Sequence, residues 1–272
     1  MDGLRGRPGG VAEGFRRPSA GVSSASVRAL ASLTTYAAVI LGTVVLSSLA
    51  VLLSWLPPRG AAVLFIARVW AHVVLAGAGV RLSVEVDPAF DRGRGYVFLA
   101  NHESYLDVPV LLASLPVPVR FAAKKNLFKI PFFGWAIRAG GFIPVDREDR
   151  RQAIEVFTAA NALIRRGGSV AFFPEGTRSL DGRLGRFKRG GFLVAQKCDA
   201  AIVPVGLSGT FEVLPRKRWS VTPGPVRVRV GAPIETSDYP VSRKDELMAR
   251  VREEIEALSG SQDRPVEDGV LA

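Results

Sequence analysis

The stretch YVFLANHESYLD, residues 96–107, decides how the rest of the chain is read. Residues 96–100 form an apolar run of the kind a buried strand shows, and Leu106, Val108, Leu111 and Leu112 supply the apolar side of a helix. Pro109 then falls in the first turn of that helix, where no N–H is needed. Between strand and helix lies NHESYLD, residues 101–107, which carries one of only two histidines in the chain five residues before an aspartate. On one continuous helix, five positions place two side chains about 140° apart, so His102 and Asp107 would diverge. They meet if His102 stands on the loop leaving the strand and Asp107 lies in the first turn of the helix. A histidine with an ordinary pKa of about 6.5 takes a proton from a hydroxyl near neutral pH, and a nearby carboxylate fixes its tautomer and stabilises the imidazolium. The pair alone is not specific, because a histidine beside a strand end is also a common structural group.

Outward from this stretch, residues 81–258 alternate in pattern. Strands are expected at residues 82–86, 96–100, 119–123, 141–145, 169–173, 202–207 and 226–230. The spacing of Ala153, Val156, Phe157, Ala160, Leu163 and Ile164 predicts a helix over residues 151–166, closed by Gly167. A last helix is expected from Ser242, where Asp245 completes a Ser-x-x-Asp start signal, and it buries Leu247, Val251, Ile255 and Leu258. This alternation predicts an α/β fold with a mixed, largely parallel sheet flanked by helices. Pro144 has no N–H for a ladder, so its strand belongs at an edge or at a strand end. Three polar segments each follow a predicted strand: NHESYLD, the pair Asp146 and Arg147, and the run Pro174, Glu175, Gly176, Thr177, Arg178. All three fall at carboxyl ends of strands, the edge where α/β sheets bind ligands.

The chain has 272 residues, 48% of them hydrophobic, and the apolar excess is concentrated near the front. No residue from 29 to 58 is charged, and TTYAAVILGTVVLSSLAVLLSWL within that run exceeds the roughly 20 residues a bilayer span needs. Tyr36 and Trp55 stand near its ends, where aromatic side chains favour the interface. A basic leader with Arg5, Arg7, Arg16, Arg17 and Arg28 also fits a secretory signal peptide, whose apolar region is about 7 to 15 residues. The longer run here, ending in Trp55, Leu56, Pro57 and Pro58, favours a retained anchor. A second apolar segment, residues 61–80, holds Arg68 and His72 four apart on one helical face, and is expected to lie in the interface or to span the bilayer. A hairpin of the two segments returns the chain to the side of its basic leader. The expected organisation is a leader over 1–28, a membrane-anchoring helical hairpin over 29–80, an α/β domain over 81–258 and a polar tail over 259–272. The expected place is the cell inner or plasma membrane, with the α/β domain facing the cytoplasm.

Net charge is +11, from 36 Lys plus Arg against 25 Asp plus Glu. On a tethered protein this points to an anionic membrane surface or phosphorylated substrates. A nucleic-acid partner is not expected, since no recognition motif or aromatic-studded basic sheet appears. The single cysteine, Cys198, allows no intrachain disulfide, which suits a reducing compartment. One cysteine and two histidines argue against a zinc site, and no metal is expected.

In order, NHESYLD, GGFIPVDR (140–147), FPEGTRS (173–179) and IVPVG (202–206) resemble the four motifs of the glycerolipid acyltransferases. The resemblance is strongest to the 1-acyl-sn-glycerol-3-phosphate, or lysophosphatidic acid, acyltransferases. AKKNLFKIPFFGW (123–135) and RFKRGGF (186–192) add to it, and together it covers residues 81–234. It implies that His102 removes the proton from the sn-2 hydroxyl of lysophosphatidic acid while Asp107 orients the ring. The oxygen then attacks the thioester of acyl-CoA or acyl-carrier protein directly, giving phosphatidic acid without an acyl-enzyme. No cofactor is implied beyond the acyl donor, which is a substrate. In the family, Glu175 and Gly176 belong to the acceptor-binding motif, together with Thr177 and Arg178. A guanidinium engages phosphate oxygens bidentately, and Gly176 lets the backbone approach. A carboxylate repels phosphate, so Glu175 is expected to hold Arg178 or to accept from a glycerol hydroxyl. Arg147 and Lys124 are further phosphate candidates. Arg183, Arg186, Lys188 and Arg189 form a basic loop that faces phospholipid, the CoA phosphates or water. Ser104 is a conceivable nucleophile, but no Gly-x-Ser-x-Gly elbow accompanies it. Alternative readings are another lysolipid acceptor, such as lyso-ornithine lipid, and a non-catalytic membrane lipid-binding protein of the same fold.

Overall fold

The computed structural model describes residues 24–56, 60–145 and 153–260. The chain begins with two helices, α1 (Ser24–Leu53) and α2 (Ala61–Gly77), and then alternates. The order is β1 (Arg81–Val86), β2 (Val97–Ala100), α3 (Asp107–Ser114), β3 (Val119–Lys124), α4 (Phe133–Ala139), β4 (Ile143–Val145), α5 (Ala153–Ile164) and β5 (Ser169–Phe172). It continues through α6 (Gly190–Lys197), β6 (Ile202–Ser208), α7 (Thr210–Val213), β7 (Pro225–Val230) and α8 (Lys244–Ser259). Most of the expected leader and tail lie outside the described residues.

The strands form one sheet in the order β1-β7-β6-β2-β5-β3-β4. From β6 to β4 every pairing is parallel, β7 runs antiparallel to β6, and β1 is parallel to β7. This is the mixed, largely parallel sheet read from the alternation. Strand β2 is buried on both faces, and its period of two divides the core. Phe98 and Ala100 join α2 and α3 on one face, while Val97 and Leu99 join α5, α6 and α8 on the other. Pro144 lies in β4, which among the described residues pairs with β3 alone, so its missing N–H falls on an edge strand.

The start of the last helix differs from expectation. Residues Val241–Arg243 form a 3-10 turn, and α8 opens at Lys244 with no side-chain cap bond. Ser242 is used up inside the turn that Pro240 initiates, and Asp245 serves in the first turn of the helix instead. Leu247, Val251 and Ile255 are fully buried as expected, whereas Leu258 in the last turn is only partly buried.

Helices α1 and α2 run antiparallel. The Trp70 indole donates to the Thr43 hydroxyl at 3.1 Å, and a Cβ at Gly77 would come within 3.0 Å of the Thr34 carbonyl, so glycine permits the close approach. By length and composition α1, with 30 residues, is long and apolar enough to cross a membrane. Leu33, Ile40, Leu41, Val45 and Leu52 on it are exposed. Helix α2 has 17 residues and packs between α1 and α3. Arg68 and His72 are both exposed on it, as their spacing suggests, and Arg68 reaches the Leu115 carbonyl at 3.4 Å. Tyr36 lies within α1 and its hydroxyl donates to the Trp219 carbonyl at 2.6 Å, because α1 also packs against the loop between α7 and β7.

Candidate active site

Strands β2 and β5 are neighbours, so the loops leaving their carboxyl ends emerge side by side. His102 stands two residues past β2, and Asp107 is the first residue of α3. This is the one arrangement that lets residues five apart meet, and His102 Nδ1 lies 2.7 Å from Asp107 Oδ2. The same oxygen accepts the backbone N–H of Glu103 at 2.7 Å and of Ser104 at 2.8 Å. Asp107 is fully buried, and three donors on Oδ2 offset the cost of burying its charge, while Oδ1 has no hydrogen-bond partner. With Nδ1 donating to the carboxylate, Nε2 carries the lone pair. One face of the imidazole stacks on Phe173, with centroids 3.9 Å apart and planes at 14°, and the side chain is 14% exposed.

Asn101 and Ser104 brace this loop from below. The Asn101 amide mimics a ladder rung, with Oδ1 accepting the Leu207 N–H at 2.7 Å and Nδ2 donating to the Leu207 carbonyl at 2.9 Å. Ser104 is fully buried, donates to the Leu214 carbonyl at 2.7 Å and accepts the Leu106 N–H at 3.0 Å. It is a structural hydroxyl and not a nucleophile beside His102.

Glu175 departs from its expected role. Its Oε1 accepts the His102 N–H at 2.7 Å and its Oε2 accepts the Gly185 N–H at 2.7 Å. It does not hold Arg178. Only 5% exposed, the carboxylate needs donors on both oxygens, and backbone N–H groups of two loops supply them. Burial pushes its pKa up to about 7, with the Asp107 charge adding to the rise, while the two N–H donors and Arg252 act in the opposite sense. The Ser179 N–H donates to the His102 carbonyl at 2.7 Å, so the loop after β5 grips both backbone groups of the histidine. Beneath it, Arg252 of α8 donates to the carbonyls of Gly185 at 2.7 Å and Leu184 at 2.9 Å, pairs with Glu256, and lies over the Phe187 ring.

Around this buried floor runs a cationic rim. The Arg178 guanidinium sits 3.5 Å from the centroid of Tyr105, inside the NHESYLD loop. Thr177 is exposed, and its hydroxyl accepts from Arg216 at 3.3 Å. Gly176 has φ +70°, and a Cβ there would come within 3.0 Å of the Lys188 side chain, which crosses it. Lys124 ends β3 on the same sheet edge and is exposed, but no hydrogen bond or ion pair joins it to the His102 cluster among the described residues. Arg147 and Asp146 lie outside the described residues. Arg183, Arg186 and Arg189 are exposed around the site. Among the described residues, no group of three or more His, Cys, Asp or Glu side chains gathers as metal ligands.

A His–Asp pair thus stands at one strand end and a Glu-Gly-Thr-Arg loop at its neighbour. Residues 81–208 match the family model described as Acyltransferase. This segment is an acyltransferase-family domain. A chloroplast 1-acyl-sn-glycerol-3-phosphate acyltransferase of Arabidopsis thaliana is 38% identical over 175 residues, 64% of this chain and 49% of that protein. A 1-acyl-sn-glycerol-3-phosphate acyltransferase of Saccharomyces cerevisiae is 31% identical over 192 residues, 70% of this chain and 63% of that protein. The chain thus spans about half the length of the Arabidopsis relative. The crystal structure of a 1-acyl-sn-glycerophosphate acyltransferase from Thermotoga maritima superposes with a TM-score of 0.76 at 25% identity, covering 90% of this chain and all of the other.

Within the acyltransferase domain, the strand-end rule found the loops but not the contacts between them. Phe173, Tyr105, Arg216, Trp219 and Arg252 were not singled out. Phe173 had a readable signal, being the aromatic that ends an apolar strand just before Pro174. Arg216 and Arg252 had none, because one is a loop cation and the other a helix cation with a Glu four residues on, both ordinary surface patterns.

Proposed function

We propose that this chain is a membrane-bound acyltransferase that moves a fatty acyl group from acyl-CoA or acyl-carrier protein to the sn-2 hydroxyl of lysophosphatidic acid, giving phosphatidic acid. The observation that carries the reading is the 2.7 Å contact between His102 Nδ1 and buried Asp107, which leaves the ring's lone pair on Nε2. As the hydroxyl oxygen attacks the thioester carbonyl, Nε2 takes its proton and Asp107 stabilises the imidazolium. Collapse of the tetrahedral adduct breaks the C–S bond, and the thiolate takes the proton back from Nε2. No acyl-enzyme forms, in keeping with the occupied Ser104 hydroxyl. A positioned base of this kind contributes about 10² to 10⁴ in rate. Arg178 binds the acceptor phosphate, with Thr177 and the backbone at Gly176 beside it, and Glu175 positions His102 through the backbone. Arg147 and Lys124 are outer phosphate candidates. The narrow apolar crevice lined by Val108, Leu112, Trp70 and Phe133 suits an acyl chain.

The helical hairpin tethers this site to the inner or plasma membrane with the domain on the cytoplasmic side, where the basic surface meets anionic headgroups. The test is purified full chain in detergent, given lysophosphatidic acid or other lysolipids with acyl-CoA or acyl-carrier protein, beside His102→Ala. Transfer to lysophosphatidic acid that His102→Ala abolishes is the expected result. No transfer with any pair would sink the enzyme reading, and transfer surviving in His102→Ala would sink the base.

A further inference from the structure

The loop between α7 and β7 belongs to no motif, yet it is fastened to both halves of the molecule. At its start, Pro215 bridges Ser104 of the NHESYLD loop, and the Leu214 carbonyl accepts the Ser104 hydroxyl at 2.7 Å. Towards its end, the Trp219 carbonyl accepts the Tyr36 hydroxyl at 2.6 Å and the Val221 N–H donates to the Ser32 hydroxyl at 2.8 Å, both on α1. The Trp219 ring stacks with Tyr105 at 6.0 Å and 27°, and Tyr105 in turn carries the Arg178 guanidinium.

Between these fastenings Arg216 reaches the loop after β5. Its Nη1 lies 3.3 Å from the Thr177 hydroxyl and 3.4 Å from the Arg178 carbonyl. Among the described residues, neither Arg178 nor Arg216 has a carboxylate partner. Arg216 thus comes from a separate loop to the backbone beside Arg178, and two cations brought to one strand-end loop without a carboxylate partner favour an anion there. The long 3.3 and 3.4 Å contacts leave most of the Arg216 donors available. A phosphomonoester offers close to two negative charges at neutral pH and three acceptor oxygens, enough for two guanidinium forks.

We propose that Arg216 is a second cation of the acceptor headgroup site, joining Arg178 on one phosphomonoester and selecting it over phosphodiester and neutral headgroups. This rests on the reading of the chain as a lysolipid acyltransferase with Arg178 at the phosphate. The fastening to α1 gives the cation its place, since the loop that holds Arg216 is tied to the long apolar helix by the Trp219 and Val221 bonds.

The experiment uses the full chain in detergent micelles with acyl-CoA and three acceptors: lysophosphatidic acid, lysophosphatidylglycerol and monoacylglycerol. Arg216→Gln is expected to raise the KM for lysophosphatidic acid by about tenfold or more, the weight of a charge-assisted bond, with kcat nearly unchanged. Its KM for the other two acceptors should stay at the wild-type value, and Arg216→Lys should fall between. The double variant Lys217→Gln, Arg218→Gln controls for general attraction of the loop to anionic surfaces and should leave the preference among acceptors intact. An unchanged KM in Arg216→Gln, an equal rise for all three acceptors, or an equal loss of preference in the double variant would overturn the proposal. Equilibrium binding of lysophosphatidic acid to wild type and Arg216→Gln reads the same contact without turnover. Weaker binding by Arg216→Gln supports the site even in a preparation that transfers nothing, and equal binding overturns it even where the transferase reading holds.

Discussion

The floor of the site and its rim are built by different means. On the floor, His102, Asp107 and Glu175 are buried or nearly so, and their contacts are bonds of 2.7 to 2.8 Å, most of them to backbone N–H groups. On the rim, Thr177, Arg178, Lys188 and Arg216 are partly or fully exposed, and they meet through an aromatic face, a glycine gap and bonds of 3.3 to 3.4 Å. A floor of this kind holds reacting groups in one geometry, whereas a rim of exposed cations recognises charge. Floor variants should therefore lower kcat, and rim variants should raise KM.

The largest effect expected is on the base itself. His102→Ala should lower kcat by about 10³-fold, within the usual span for general-base catalysis, and should also lower thermal stability somewhat, because buried Asp107 loses one of its three donors. Asp107→Asn keeps an acceptor near Nδ1 but removes the charge opposing the imidazolium, so a loss of about 10²-fold is expected in single-turnover rates. Losses seen mainly in KM would erase the distinction between floor and rim.

Glu175→Gln probes the floor through stability as well as rate. The Glu175 pKa rises from an ordinary 4.5 to about 7 on folding, so between those values the folded state holds more protons than the unfolded one. Its contribution to stability is therefore fully present below about pH 4.5 and is lost as the pH rises to about 7, by at most about 3 kcal/mol. Glu175→Gln should flatten that part of the pH dependence in urea unfolding from acid to neutral pH. Because an amide nitrogen cannot accept, one of the two N–H bonds is also lost, and kcat should fall about tenfold. A pH profile of unfolding unchanged by the substitution would remove the buried-carboxylate account.

Arg252→Ala tests whether α8 reaches the base through the loop at Gly185. A kcat lowered about fivefold with unchanged KM is expected, and Arg252→Lys should recover only part of it, since an ammonium cannot fork to both Leu184 and Gly185. A KM effect equal to the kcat effect would place Arg252 with the rim. Smallest of all, Gly176→Ala should cost about 1 kcal/mol in unfolding, from the positive φ and the press of Lys188, and raise the acceptor KM slightly.

Much of the fold was legible in the chain because strands and helices are written in short-range periodicity. All seven expected strands are present with ends shifted by a residue or two, and Pro144 located its strand at an edge. Ser242 misled because a capping signature is local chemistry, and the preceding Pro240 turned the same residues into a 3-10 turn. At the site, the His102 and Asp107 contact follows from spacing once strand and helix are placed. The role of Glu175 does not, since its partners are the N–H groups of His102 and Gly185, which every residue but proline possesses and no side-chain pattern marks.

By itself the sequence determined an α/β domain behind an apolar hairpin, polar loops after β2 and β5, and a histidine within reach of an aspartate. Only the tertiary structure decided that β2 lies beside β5, that Glu175 faces backbone and not Arg178, and that Arg216 and Arg252 reach the site from later elements. The reason is physical: periodicity and spacing act within a few residues, whereas a buried carboxylate or an unpaired guanidinium is satisfied by whatever the packing of distant elements brings against it.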